Sequence, residues 1–311
     1  MSGVSVVIST YSKARSALLM AAVRSLRQQT FEPLEVIVVV DHSPELLGQL
    51  RDALPGVVLI ESGRTPGLSG TRNQALEACR GELVAFLDDD AAARPDWIAR
   101  LLAHFSDPAV MAVGGRTESI WEVGRPDWFP VEFDWVVGGS YRGLPEAAAE
   151  VRNVIGNNMA FRTDLVREVG GFREDMGRVG TRPVGCEETE LCIRMRQRWP
   201  EQKIVYEPLA RISHHVPRER ARVRYYVSRC FGEGLSKAKL ASFVGGRDAT
   251  QAERRHVLRT LPRSAALDAL QGARRLQLGG LLRGAAIIAG VAAAAAGFLL
   301  GNASARLPSR A

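Results

Sequence analysis

Leu83-Val84-Ala85-Phe86-Leu87-Asp88-Asp89-Asp90 decides how this chain is read. Five apolar residues in unbroken succession are the pattern of a strand covered on both faces, since a strand with one wet face would alternate. Three carboxylates then follow without a spacer. Runs of the same kind recur upstream at Val4-Ser5-Val6-Val7-Ile8, Val36-Ile37-Val38-Val39-Val40 and Val57-Val58-Leu59-Ile60. Between them lie segments of helical spacing: Leu19, Ala22, Val23 and Leu26, then a stretch around 45–54, then 71–78. After the acids, Ile98, Leu101, Leu102 and Phe105 mark a further amphipathic helix. This βαβαβαβ order predicts an α/β fold with a mostly parallel, doubly wound sheet and right-handed crossovers. Ligands of such sheets bind beyond the carboxyl ends of the strands, where the three acids stand.

Three adjacent carboxylates repel one another unless a cation offsets them, and hard oxygen ligands suit magnesium or manganese bridging to a diphosphate. A solvated acidic turn, or an Asp capping a helix at Ala91-Ala92, would use the same residues. Asp41 ends the second strand and is placed to accept hydrogen bonds from a base or a ribose, or simply to start a turn. Thr10 and Tyr11 lie at the same sheet edge after the first strand. Gly67-Leu68-Ser69-Gly70-Thr71-Arg72-Asn73 joins a strand to a helix, where Gly70, the helix N-terminus, Arg72 and Asn73 favour the approach of a diphosphate or ribose. It has neither the P-loop lysine nor a GxGxxG pattern.

Glu187-Glu188-Thr189-Glu190 opens a helix, and acids there satisfy its dipole. The same carboxylates are also candidates for the general base of a transfer to a hydroxyl. His214 and His215 are candidate metal ligands on a strand, where neighbours face opposite ways and one at most reaches a given ion. Asn157 and Asn158 are placed to hydrogen-bond sugar hydroxyls or to cap a helix from Thr163.

The chain has 311 residues, 46% of them hydrophobic, and a formal net charge of +7. Arginines concentrate late, from Arg211 to Arg283, without zinc-finger spacing or an RNA-binding aromatic pattern, which points to an anionic membrane surface over nucleic acid. Cys79, Cys186, Cys192 and Cys230 form no CxxC pair, so a reducing compartment fits. The opening lacks the order of a signal peptide, and the catalytic part is expected in the cytoplasm. An uncharged run at 284–305 is long enough for a bilayer, which takes roughly 20 apolar residues. It reads as a membrane-associated helix flanked by Arg283 and Arg306, as a helix packed on another subunit, or as a flexible Ala/Gly tail.

Taken in order, these segments resemble glycosyltransferase family 2. The resemblance rests on Val4 to Tyr11, Glu35 to Asp41, Gly70 to Asn73, Phe86 to Asp90, Gly156 to Arg162, Val169 to Phe172 and Glu187 to Arg194, covering roughly residues 4 to 216. It implies a GT-A fold, with a nucleotide half at 1–115, an acceptor half at 116–216, a basic helical extension at 217–283 and the apolar helix at 284–305. By the same resemblance Asp41 contacts the base, Asp88 and Asp90 form the DxD element, and Asp90 is the metal ligand, with Asp88, His214 and His215 as further candidates. Asp89 joins Thr10, Tyr11, Asp41, Gly70, Arg72, Asn73 and Asp88 in holding the nucleotide sugar. The base falls at Glu188, where the family has Asp, with Glu187 beside it.

The implied function is an inverting hexosyltransferase using a UDP-hexose or UDP-hexuronate and Mn2+ or Mg2+. Its acceptor hydroxyl would belong to a lipid-linked glycan at the cytoplasmic face of the membrane, in cell-surface polysaccharide or glycoconjugate synthesis. The alternatives are a dTDP- or GDP-sugar transferase with a soluble acceptor and a non-catalytic nucleotide-sugar-binding membrane partner. A nucleotidyltransferase would need a glycine-rich loop after the first strand, and Ser9-Thr10-Tyr11-Ser12 has no glycine.

Overall fold

The computed structural model describes residues 3–178, 184–246, 248, 249, 261 and 278–306. Much of the basic extension expected at 217–283 therefore lies outside the described residues. The chain divides into two units. The first comprises Met1–Glu118, Pro145–Arg182 and Glu187–His214, and the second Ser119–Leu144, Pro183–Cys186 and His215–Ala311.

The first unit is built on a sheet. Its strands are β1 (Val4–Thr10), β2 (Glu35–Val40), β3 (Val58–Glu61), β4 (Leu83–Asp88), β5 (Ala91–Ala93), β6 (Val110–Trp121), β7 (Ala149–Glu150), β8 (Asn158–Arg162) and β9 (Lys203–Val216). The order is β3-β2-β1-β4-β8-β6-β9-β5, with β7 added to β9. The four strands read from the sequence pair in parallel, β1 between β2 and β4, as continuous apolar runs require. Beyond β4 the pairing turns antiparallel, because β8 runs against both β4 and β6. The fold is thus α/β with a mixed sheet. β3 is a partly exposed edge strand, with Val58 39% exposed, where its neighbours are buried.

The helices are α1 (Ser16–Arg27), α2 (Pro44–Ala53), α3 (Leu68–Ala78), α4 (Trp97–Ala103), α5 (Thr163–Glu168) and α6 (Glu187–Arg198). α1 buries the stripe Leu19, Ala22, Val23 and Leu26. α2 starts where its residues allow, with Pro44 in the first turn and Ser43 Oγ accepting from the Leu46 amide. One core cluster joins α1, α2 and α4 to alternate strand residues such as Val6, Ile8 and Ala85. The other face of the same sheet, with Val7, Ile37, Val39, Phe86 and Phe161, packs on Leu76, Phe172, Leu191 and Met195. Burial on both faces explains why these strands read as unbroken apolar runs.

Among its described residues the second unit holds two long helices, α7 (Val223–Val244) and α8 (Leu278–Arg306). Its core is aromatic: the rings of Phe129 and Phe133 each stand 5.4 Å from that of Tyr226. The apolar run expected at 284–305 lies within α8. All four cysteines are free and buried.

Candidate active site

The carboxyl ends of β1, β2 and β4 lie side by side, and the acids expected to meet a ligand leave from them. Asp88 ends β4, with its side chain about a third exposed, while Asp89 and Asp90 are buried behind it. Antiparallel pairing of β5 with β9 sets His214 opposite Ala91. Through that register Asp88, Asp90 and His214 offer ligand atoms that lie within 4.8 Å of one another. His214 Nε2 is 3.1 Å from Asp90 Oδ1. His214 Nδ1 is buried and has no hydrogen-bond partner among the described residues. Two carboxylates and an imidazole, one nitrogen of it unused, are a donor set that fits a divalent cation. His215, the alternative on the same strand, is not a member of the group, as strand alternation requires.

Burial raises the Asp88 carboxyl above its ordinary range, and the neighbouring Asp90 charge raises it further. Asp89 is pushed up to about 6, chiefly by burial, although the Arg15 charge opposes this. Sequence reasoning missed Arg15. Its guanidinium reaches Asp89 Oδ1 at 2.5 Å and Asp90 Oδ2 at 2.8 Å, and lies 5.3 Å from the Tyr11 ring centre. Burial works against the Arg15 charge, but Asp90 and Asp89 outweigh it and raise its pKa. Thr10 Oγ1 completes the cage by donating to Asp89 Oδ2 at 2.8 Å. Asp89 is thereby turned inward as a counter-charge for Arg15, away from the donor contact expected of it. No signal in the sequence links residues 74 apart in this way.

At the end of β2, Asp41 Oδ2 accepts from the Gly67 amide at 2.9 Å, and Oδ1 lies 2.7 Å from His42 Nδ1. Asp41 therefore ties β2 to the N-terminus of α3. Gly70 sits in the first turn of α3 because a Cβ there would stand 2.0 Å from the Thr65 carbonyl oxygen. Asn73 turns to the loop that follows α5, donating to the Phe172 carbonyl at 2.8 Å and accepting from its amide at 2.8 Å.

Arg72, expected beside the diphosphate, is 2% exposed. Its guanidinium lies between the rings of Phe86 and Phe172, 5.6 and 5.3 Å from their centres. It donates to Glu187 Oε1 at 2.9 Å and to the Gly156 carbonyl at 2.6 Å, and is 3.8 Å from Asp88 Oδ1. A Cβ added to Gly156 would lie 3.5 Å from both Arg72 Nη2 and Glu188 Oε2, so these two groups flank one point of the backbone. Glu187 is buried, whereas Glu188 is partly exposed and accepts from Thr189 Oγ1 at 3.1 Å. Asn157 Oδ1 accepts from Thr117 Oγ1 at 2.9 Å. Asn158 is fully buried: Oδ1 accepts from Trp97 Nε1, and Nδ2 donates to the carbonyls of Arg116 and Ala210. Its amide joins β8 to mid-strand carbonyls of β6 and β9 and is spent there, in place of the acceptor contact expected.

The model of the Glycosyl transferase family 2 family matches residues 5–170. The Glucosyl-dolichyl phosphate glucuronosyltransferase of Haloferax volcanii is 38% identical over 238 residues, 75% of this chain and 76% of that protein. The Pre-mycofactocin glycosyltransferase of Mycobacterium tuberculosis is 30% identical over 214 residues, 67% of this chain but 42% of that longer protein. Among solved structures, the mannosyltransferase PcManGT of Pyrobaculum calidifontis, in complex with GDP-Man and Mn2+, superposes with a TM-score of 0.60 at 19% identity, covering 98% of this chain and 88% of that one. GalNAc-T7 with UDP, GalNAc and Mn2+ gives 0.55 at 17% identity, covering 83% of this chain and 58% of that one. At these identities the likeness concerns the fold, which is GT-A.

Proposed function

The chain belongs to glycosyltransferase family 2, and on that premise we propose that it moves a hexose or hexuronate from a UDP-sugar to a sugar hydroxyl on a polyprenyl phosphate, with inversion, at the cytoplasmic face of the membrane. That it is a glycosyltransferase follows from the family. The name of the Haloferax relative supports both a uronate donor and a lipid-phosphate acceptor. One helix long and apolar enough to cross a membrane, Gly279–Ala303, supports the membrane location.

The observation that carries the mechanism is the grouping of Asp88, Asp90 and His214 at the strand ends, with Arg72 linking Asp88 to Glu187. Asp90, Asp88 and His214 would hold a divalent metal, Mn2+ or Mg2+. When bound it supplies positive charge where the diphosphate departs. Glu187 is neutralised by Arg72 and serves to hold α6 in place. Glu188, one residue on and partly exposed, takes the proton of the acceptor hydroxyl. The acceptor oxygen bonds to C1 of the donor sugar as the bond from C1 to the phosphate oxygen breaks, and the nucleoside diphosphate leaves with the bonding pair. Attack from the face opposite the leaving group inverts C1. Asp41, Thr10 and Tyr11 border the nucleotide, and Asn157 borders the acceptor. Arg72 acts as a positioning residue, since Glu187 and the Gly156 carbonyl already hold its guanidinium.

The test is release of nucleoside diphosphate from a panel of UDP-, dTDP- and GDP-sugars, with Mn2+, Mg2+ or EDTA. Release from a UDP-hexuronate or UDP-hexose that EDTA stops supports the reading. Release from a dTDP- or GDP-sugar only would overturn the donor, and no release or donor binding at all would overturn the enzyme mechanism.

A further inference from the structure

α8 is two-sided from Leu281 to Ala303. Leu281, Ala285, Ile288, Ala292, Leu299 and Leu300 stand exposed at helical spacing, and every exposed side chain from Leu281 to Ala303 is Leu, Ile or Ala. The stripe is about 33 Å long at 1.5 Å per residue. No polar side chain interrupts it. An apolar face of this length is not stable in water and needs an occupant.

The opposite face is docked on protein, and this decides how α8 can meet lipid. Arg283 Nη1 donates to the Asp127 carbonyl at 3.0 Å, and Tyr226 Oη donates to the Ala286 carbonyl at 2.9 Å. Ile287 is 4% exposed among the aromatic rings of the second unit's core. Between Gly279 and Gly290 the helix is therefore held against the Asp127 loop, Phe133 and the first turn of α7. The remainder, Val291 to Ala303, extends about 20 Å, short of the roughly 30 Å of a hydrocarbon core. That remainder is itself lodged on α7. A Cβ at Gly234 would lie 2.0 Å from the Ala294 carbonyl oxygen, and one at Gly297 would lie 2.1 Å from that of Phe231. At this level α7 carries Glu233, paired with Arg229 at 3.1 Å and with Lys237 at 3.6 Å. A transverse α8 would draw these charges into hydrocarbon, at high cost.

Charge indicates what covers the stripe. Residues 1–216 hold 24 Lys and Arg against 29 Asp and Glu, whereas residues 217–283, which lead into α8, hold fifteen against five. The basic excess of the chain is thus confined to the part that contains the stripe. We infer that α8 lies in the plane of an anionic bilayer surface, its Leu/Ile/Ala stripe in the acyl boundary and its other face on the protein, and does not cross the membrane. A helix so placed sinks about 5–10 Å below the headgroups, and basic residues nearby add attraction to anionic lipid. The inference rests on the membrane location proposed above.

The test uses the full chain. Its native cysteines are buried, so single cysteines introduced at Leu282, Ile288, Ala292 and Leu299 can be spin-labelled selectively. Electron paramagnetic resonance with a polar and an apolar relaxant then measures depth in vesicles of phosphatidylcholine with phosphatidylglycerol. The expected result is one shallow depth at all four positions. Binding should fall at least about tenfold in neutral vesicles and in the variant I288E/L299E, which keeps its rate of donor hydrolysis. Depth that rises to the bilayer centre and falls again along the helix would overturn the in-plane placement while leaving the membrane location intact. Absence of vesicle binding would overturn both. A concentration-dependent dimer with mutually broadened labels would overturn the inference by showing that a second copy covers the stripe.

Discussion

Arg72 Nη1 and Glu187 Oε1 meet at 2.9 Å, with the two side chains only 2% and 6% exposed. The pair joins α3 to α6 across 115 residues and gives two adjacent glutamates different surroundings. Glu187 is spent on a buried cation, and Glu188 is left beside Gly156 with a solvent-facing edge.

Glu187→Gln and Glu188→Gln should therefore fail in different ways. Removing half of a buried ion pair costs about 3 kcal/mol, so Glu187→Gln should lower the melting temperature by several degrees. Glu188→Gln should melt within about a degree of the parent and lose at least about a thousandfold in transfer rate, as expected when a general base is removed. Thermal unfolding and transfer assays on both proteins decide the matter. Equal loss of stability in the two would sink the assignment.

Mn2+ binding should raise the melting temperature of the folded chain, because a ligand held only by the native state stabilises it by about 3 kcal/mol at a hundred times its Kd. Asp90→Asn and His214→Ala should each abolish most of that shift, and His215→Ala should leave it intact. A metal-induced shift that survives in His214→Ala would exclude the imidazole from the site.

Glu174 sets an acid limb of stability. Burial acts to raise its carboxyl, but hydrogen bonds from Thr65, Asn73 and Arg64 prevail and hold it at about 2. The folded pKa is depressed, so the contribution is complete above the unfolded value near 4.3 and is lost as pH falls toward 2. In urea titrations between those limits, Glu174→Gln should flatten the decline. An unchanged slope would mean that other carboxylates govern it.

Asn158→Ala should destabilise without altering substrate affinity. It strands Trp97 Nε1 and the carbonyls of Arg116 and Ala210 in a fully buried setting, which costs about 2–4 kcal/mol. The check is a lower melting temperature with KM for the acceptor unchanged. A raised KM with unaltered stability would return Asn158 to the acceptor site.

The parallel half of the sheet was legible because β1, β2 and β4 are buried on both faces, which writes itself as uninterrupted Val, Ile and Leu. β8 was not, since Asn158 and Arg162 at its ends are polar for tertiary reasons, and so hide a buried strand. The acids Asp88 and Asp90 were legible from their place after a strand. Which histidine joins them needed the phase of β9, fixed by pairing with β5 and carried by no local signal. Arg15 and the Arg72–Glu187 pair were illegible for a different reason: each depends on partners brought together only by the fold.

Two filters act on α8 at once. Along the edge that meets α7, substitution at Gly297 is limited by volume, since even a methyl group there meets the Phe231 carbonyl oxygen. On the opposite edge, Ile288 and Leu299 have room for any shape and are limited by polarity alone. A saturating mutational scan of this one helix should yield two periodic tolerance maps, half a turn out of step, one sorting residues by size and the other by hydrophobicity. Drift in such a helix erases sequence identity while it preserves both maps.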